Sequence, residues 1–323
     1  MLPTEVLRAA RAGFGLRRGR VRVLSTRFGK VCLAHRTADG TRTQIRLVLA
    51  QPDTYARLSA EARWLRHLAT AHGLSVPMPY RWSDGALVSP PLIGRDDRVW
   101  HAVACTWITG RHLGDGMRAA DVRDAGSLLA RLHRANVDAP PDIAAARPTW
   151  WIPRLLALAT TLRGVIEKSQ PLPTGVSRAL ADGLQNAHDA IVLAHASLPA
   201  SSRHVGLIHT DAHTQNMRWA MGGVGIVDFE DFATGRFMLD LAPLWGRMEA
   251  RRNPAPLLDA LLSGYDRVVS LPEGHMRDIR VMLSFRRLDY VGWILSWPRL
   301  DLFAWGPECL ETAPSYIMRQ LSR

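Results

Sequence analysis

Apolar and polar positions change rhythm along the chain. Over residues 20–25, 31–35 and 43–49 they alternate with period two, and Ala38-Asp39-Gly40 marks a turn, which predicts three antiparallel strands. From 53 to 73 the period lengthens: Leu58, Ala62, Leu65 and Leu68 share one helical face, with Asp53 a good N-cap and Gly73 a good stop. Strand-like stretches follow at 82–88, around Asp84-Gly85, and at 99–108. Beyond Gly110 the pattern is helical, first over 121–135 with Val122, Ala125, Leu128, Leu129 and Leu132 at helical spacing, then near 153–167, 175–198, 240–250, 254–269 and 276–297. One stretch interrupts the helices: a short strand at 205–208, then a hairpin of 217–220 and 224–227 that ends at Asp228.

That interruption concentrates the polar chemistry. The strand delivers His209 and Asp211, a polar turn leads to Asn216, and the hairpin returns Asp228 to the neighbourhood of Asn216. Phosphoryl transfer needs one carboxylate to orient and deprotonate an attacking hydroxyl, and an amide with a second carboxylate to hold Mg²⁺ against nucleotide phosphates. Asp211, Asn216 and Asp228 fit those roles in chain order. The spacing His209-Thr210-Asp211 to Asn216 matches the kinase pattern H-R-D-x-x-x-x-N, and Asp228-Phe229-Glu230 stands where Asp-Phe-Gly would follow, with Thr210 for Arg and Glu230 for Gly. A second reading takes His209-x-Asp211-x-His213 as three ligands on one strand face, as in a metal-dependent hydrolase, and leaves Asn216 and Asp228 unexplained.

The phrases LIHTDAHTQNM, IVDFEDFATGRFMLDLA, LLARLHRA and EARWLRHLATAHGLSVPMPYRWSDGALV resemble the aminoglycoside phosphotransferase and choline kinase superfamily over nearly the whole chain. FRRLDYVGWILSWPRLDLF is most similar to its bacterial stress-response kinase and type II homoserine kinase-like branch. The resemblance implies an α+β, bilobal protein-kinase-like fold. Residues 1–108 would form an antiparallel β nucleotide-binding lobe, 105–109 a hinge, and 109–323 a helical catalytic and substrate-binding lobe. It implies ATP and Mg as cofactors, with Asp211 as base supported by His209, and Asn216 and Asp228 as metal ligands. It also implies Asp240 as the anchor of the catalytic loop. The acceptor would be a hydroxyl of a small molecule or of a protein Ser/Thr. The helices around 276–311, with Asp289, Trp293, Trp297, Asp301, Trp305 and Glu308, are where an aromatic, acidic pocket for an amine-bearing acceptor is expected.

Two departures matter. The link 25–30 sits where a nucleotide-covering loop belongs but holds a single Gly, so Ser25, Thr26, Arg27 and Lys30 would act through side chains. The third strand has no Lys; its one interior cation, Arg46, stands fifteen residues before Glu61, and is expected to replace the lysine by pairing with Glu61 while facing away from Ile45 and Leu47. Lys30 is the rival. A catalytically silent nucleotide-binding module on the same fold is the alternative function, favoured only by the missing lysine.

Composition narrows the rest. With 323 residues, 47% hydrophobic and 22% charged, the chain supports two sizeable cores. No apolar run reaches membrane-spanning length and the first twenty residues lack a secretory core, so a cytoplasmic location without membrane partners is expected. Cys32, Cys105 and Cys309 have neither disulfide nor zinc spacing. The net charge of +12 gathers in the first fifty residues, which hold eleven Lys or Arg against Glu5 and Asp39. This surface suits nucleotide phosphates, and no specific nucleic acid is expected. Oligomeric state is left open.

Overall fold

The computed structural model describes residues 3–27, 29–113, 117–147, 149, 155, 157–160, 162, 164, 176–199, 201, 203–220, 222–295 and 305–323. Contacts divide the chain into two compact units. The first holds 1–117, 134–148 and 214–232; the second holds 118–133, 149–213 and 233–323.

The first unit is built on a five-stranded antiparallel sheet in the order β1-β2-β3-β5-β4, from β1 (Gly19–Arg27), β2 (Lys30–Thr37), β3 (Arg42–Leu49), β4 (Leu92–Ile93) and β5 (Val99–Thr106). Pleating sends alternate residues of β3 to opposite faces. On one face Ile45 and Leu47 are fully buried with Leu33, Ala102 and Ala104 beneath α1 (Thr4–Gly13), which contributes Val6, Leu7 and Ala10. The alternation reading did not foresee α1, although Val6, Leu7, Ala10 and Phe14 carry its helical spacing. On the other face Val48 and Val103 pack with Leu58 of α2 (Thr54–Thr70).

Helix α2 ends as expected before Gly73, whose φ of 59° returns the chain so that Leu74 N–H donates to the Leu68 carbonyl at 3.0 Å. Its start differs. Asp53 makes no side-chain cap and instead lies 3.8 Å from Arg57, while Gln51 N–H donates to Thr54 Oγ1 at 2.9 Å. The stretch 82–88 is not a strand. It is a tight turn in which Gly85 (φ 90°) donates to the Trp82 carbonyl and Trp82 to that of Ala86. A second sheet joins β6 (Arg111–His112) to the hairpin β8 (Met217–Ala220) and β9 (Gly223–Ile226), which forms with Met217 opposite Ile226. The unit is completed by a 3₁₀ turn (Ala135–Asp138) and α4 (Pro141–Ala145).

The second unit is helical around one short ribbon. It contains α3 (Ala119–Arg134), α5 (Arg178–Ala196), α6 (Met238–Glu249), α7 (Ala255–Asp266), α8 (His275–Leu295) and α9 (Gly306–Leu321), with β7 (Val205–Ile208) paired to β10 (Ala233–Arg236). Helices α3 and α7 pack backbone to backbone through glycine: a Cβ on Gly126 would stand 2.2 Å from the Leu261 carbonyl oxygen, and one on Gly264 would stand 1.9 Å from that of Arg123. The ribbon is tied down by Arg236, which donates to both oxygens of buried Asp278 at 2.8 and 2.6 Å. The helix expected near 153–167 falls largely outside the described residues, as do Trp297 and Asp301.

Candidate active site

In the first unit the polar row of β3 becomes a charge network. Arg46 Nη2 lies 2.5 Å from Glu61 Oε2 of α2, and its Nη1 lies 3.5 Å from Glu230 Oε2. Glu230 also takes Lys30 Nζ at 2.9 Å, so one carboxylate bridges the two cations that compete for the lysine's place. Burial works against the Arg46 charge, but Glu61 and Glu230 outweigh it and raise its pKa. Burial alone would raise the Glu230 pKa, and Arg46 and Lys30 bring it below the ordinary value. Arg46 Nε is buried with no hydrogen-bond partner, a donor awaiting an acceptor.

Arg46, Glu61, Cys105, Asp228 and Phe229 line one cavity of this unit. Asp228 reaches it from the end of the hairpin: Val227 N–H donates to the Asn216 carbonyl at 2.9 Å, so Asn216 and Asp228 flank the two hairpin strands. Asp228 has φ of 72°, a left-handed conformation that is costly for a residue with a Cβ and is tolerated where the surroundings enforce it. Just beyond it, Arg147 holds the backbone, donating to the carbonyls of Phe232 (2.6 Å) and Glu230 (2.5 Å) and lying over the Phe232 ring at 4.3 Å. An amide and a carboxylate, with no thiolate or imidazole, form a hard-oxygen pair suited to Mg²⁺. The expected covering loop is mostly strand: Ser25, Thr26 and Arg27 of β1 pair with Cys32, Val31 and Lys30 of β2.

In the second unit β7 delivers His209, Thr210 and Asp211, and α6 fixes them. Both oxygens of the fully buried Asp240 accept, one from His209 N–H and the other from Thr210 N–H, each at 2.7 Å. His133 Nε2 lies 3.1 Å from Asp240 Oδ2 and its Nδ1 2.9 Å from the Tyr265 hydroxyl. Thr210, with φ of 72°, turns the chain so that Asp211 N–H donates to His209 Nδ1 at 3.2 Å. His209 is thereby committed to its own loop. Among the described residues, His209, Asp211 and His213 do not form a converging ligand set, which removes the hydrolase reading.

Asp211 keeps a side chain one-third exposed, with His213 Nε2 at 3.3 Å and an ion pair to Arg286 of α8. Burial would raise its pKa, but the His213 hydrogen bond and the Arg286 charge hold it well below the usual carboxylate range. Arg286 also pairs with Asp289 at 3.4 Å and lies 4.6 Å over the Tyr290 ring. Nearby on α8, Trp293 stacks parallel to Trp305, centroids 6.1 Å apart, and Tyr290 meets Trp305 edge-on.

Sequence reasoning missed Glu230, Arg147 and Arg286. Glu230 stands out in the sequence only as a departure from glycine, and the two arginines lie far in sequence from the residues they hold, Glu230, Phe232 and Asp211, in a chain rich in arginine.

Residues 34–277 match the phosphotransferase enzyme family. No curated protein sequence matches the chain. Among solved structures it is similar to an amicoumacin kinase in complex with AMP-PNP and Ca²⁺, at 16% identity and TM-score 0.79, covering 99% of this chain and 93% of that one. A microcompartment-associated aminopropanol kinase follows at 17% identity and TM-score 0.74, covering 99% and 95%. A spectinomycin phosphotransferase in complex with ADP and spectinomycin is similar at 11% identity and TM-score 0.70, covering 98% of each chain. The antiparallel amino-terminal sheet and helical carboxy-terminal region are thus those of protein-kinase-like phosphotransferases, an α+β fold.

Proposed function

We infer, because the chain belongs to the phosphotransferase enzyme family, that it moves the γ-phosphoryl group of ATP to a hydroxyl of a small, amine-bearing molecule. The observation that carries this reading is the cavity in which Arg46, paired to Glu61, shares a wall with Asp228. A permanently charged fork with one buried N–H unsatisfied fits the phosphates of a nucleotide. Residues 1–108 serve nucleotide binding in this reading, and 109–323 serve catalysis and acceptor binding.

Each residue then has one task. Asp211 accepts the proton of the acceptor hydroxyl as its oxygen bonds to the γ-phosphorus and the bond from phosphorus to the bridging β,γ-oxygen breaks. His209 and Asp240 hold the loop that positions Asp211. Arg46 binds the phosphates, with Lys30 beside it and Ser25 and Thr26 at the edge. Asn216 and Asp228 hold Mg²⁺, which when bound neutralises charge on the phosphate oxygens. For the acceptor, amicoumacin, aminopropanol and spectinomycin, named with the similar structures, together with Asp289 and the aromatic group Tyr290, Trp293 and Trp305, favour a cationic amine.

The test is an ATP-consumption screen over aminoglycosides, amino alcohols, homoserine, choline, sugars, nucleosides and Ser/Thr proteins. Turnover confined to the amine-bearing hydroxyls is expected. Failure of every class with folded protein would leave the catalytically silent reading in its place.

A further inference from the structure

Three donor atoms converge in the first unit, apart from every residue assigned above. His67 lies in the last turn of α2, His72 just beyond the helix end, and Asp138 at the end of the 3₁₀ turn. The left-handed Gly73 that stops α2 turns the chain there, and His72 stands beside His67. His67 Nε2 and His72 Nε2 are 3.2 Å apart. Asp138 Oδ1 is 2.8 Å from His72 Nε2 and 3.3 Å from His67 Nε2. The His67 ring is held by stacking on the buried Trp64, at 5.5 Å and 19°.

Hydrogen bonds can serve at most two edges of this triangle. If both Nε2 atoms carry hydrogen, Asp138 accepts from each but two N–H groups face one another. If only one carries hydrogen, the other presents its lone pair to the carboxylate. One edge is frustrated in every arrangement of neutral rings. A cation bound by all three removes the frustration, because each then offers a lone pair to one centre. The size fits as well: tetrahedral ligands about 2.0–2.1 Å from zinc stand about 3.3 Å from one another, against the 3.2, 2.8 and 3.3 Å found here.

We propose that His67, His72 and Asp138 form a binding site for a divalent transition metal ion of the zinc class, with a fourth position open to water. Two imidazoles and one carboxylate favour such ions over Mg²⁺ or Ca²⁺, which prefer all-oxygen shells. The Asp138 side chain is 55% exposed and the imidazoles are 15% and 20% exposed, so the ion enters from solvent on the Asp138 side. Binding fastens the end of α2 to the 3₁₀ turn and stiffens the helix that carries Glu61. The site does not depend on the phosphotransfer reading.

The experiment titrates Zn²⁺ into chelator-stripped full-length protein by calorimetry, with Mg²⁺ as control, and repeats it with His72→Gln and with His67→Gln/His72→Gln. The native chain should bind one Zn²⁺ more than the double variant and melt at a higher temperature when loaded. His72→Gln should bind at least about a hundredfold more weakly, since losing a ligand costs no less than the upper end of what losing a ligand's outer hydrogen-bond partner costs. Co²⁺ should give the intense visible bands of a tetrahedral site in the native chain alone. Melting in chelator controls for folding, and Asp138→Asn gives a second variant should the histidine changes unfold the chain. Equal Zn²⁺ stoichiometry and affinity in native and folded variant proteins, or no Zn²⁺ binding to the native chain, overturns the proposal.

Discussion

The guanidinium of Arg286 is ion-paired with the carboxylate of Asp211, while the same side chain lies over Tyr290 and reaches Asp289. An anion so held stays ionised far into acid, and a proton acceptor must be ionised to work. The sign follows. Asp211 has a depressed folded-state pKa, so its contribution to stability is present above the ordinary carboxylate pKa and is lost as pH falls through the depressed value. Arg286→Met removes one opposing charge and leaves the burial that pushes the pKa upward. The acid limb of kcat/KM should therefore move to higher pH, with the loss of activity greatest at the acid end of the profile. Superimposable pH–rate profiles for the two proteins would contradict the coupling.

Asp211 and Asp228 should fail differently. Asp211→Asn keeps the size of the side chain and removes proton acceptance, so turnover should drop by about 10²- to 10⁴-fold with nucleotide binding intact. Asp228→Asn should weaken binding of Mg-ATP itself. Calorimetric titration of Mg-ATP into each variant separates the cases, and equal loss of binding in both would defeat the assignment.

Removing Arg46 should cost both binding and fold. Glu61 is 6% exposed, and Arg46→Ala would leave it buried without its ion-pair partner, a change that typically costs about 3–5 kcal/mol. Denaturant unfolding should register that loss, and the KM for ATP should rise more than in Lys30→Ala, whose partner Glu230 retains Arg46. Arg46→Lys restores charge without the fork and should fall between the two. A larger ATP effect from Lys30→Ala would transfer the role to Lys30.

Glu230 gives this network a pH dependence. Its pKa is depressed from 4.5, so the stabilisation it contributes is complete above that value and disappears as pH falls below it. Stability curves for the native chain and Glu230→Gln should run apart at neutral pH and converge in acid. Parallel curves down to the acid transition would show that the bridge contributes nothing.

Most of the elements were legible because their periods were long and clean: the three first strands, α2, α3 and the hairpin lie within a few residues of where the pattern puts them. The pairing of Arg46 with Glu61 was readable because strand alternation and a helix face each left one charged residue at an apolar border. Long-range partners were not readable. Arg147 acts on the backbone of Glu230 and Phe232, and backbone carbonyls carry no signature in a sequence. Arg286 reaches Asp211 from a helix whose polar and apolar faces are not separated, since α8 buries Asp278, Ser284 and Arg286 along with its hydrophobes. The 82–88 stretch misled because aromatic and aliphatic residues around Asp-Gly fit a strand hairpin and an isolated tight turn equally well.

Strand β3 has a consequence for how such a chain tolerates inherited change. Ile45 and Leu47 are answerable only to the volume beneath α1, so exchanges among aliphatic residues of similar size should pass there almost unnoticed. Arg46, between them in sequence, is answerable to two carboxylates and to whatever ligand its free N–H receives, and no exchange serves all three. Eight residues thus interleave a lineage that can drift with one that is held still. Two descendants of a common ancestor could differ at most positions of this strand and still keep the Arg46–Glu61 pair.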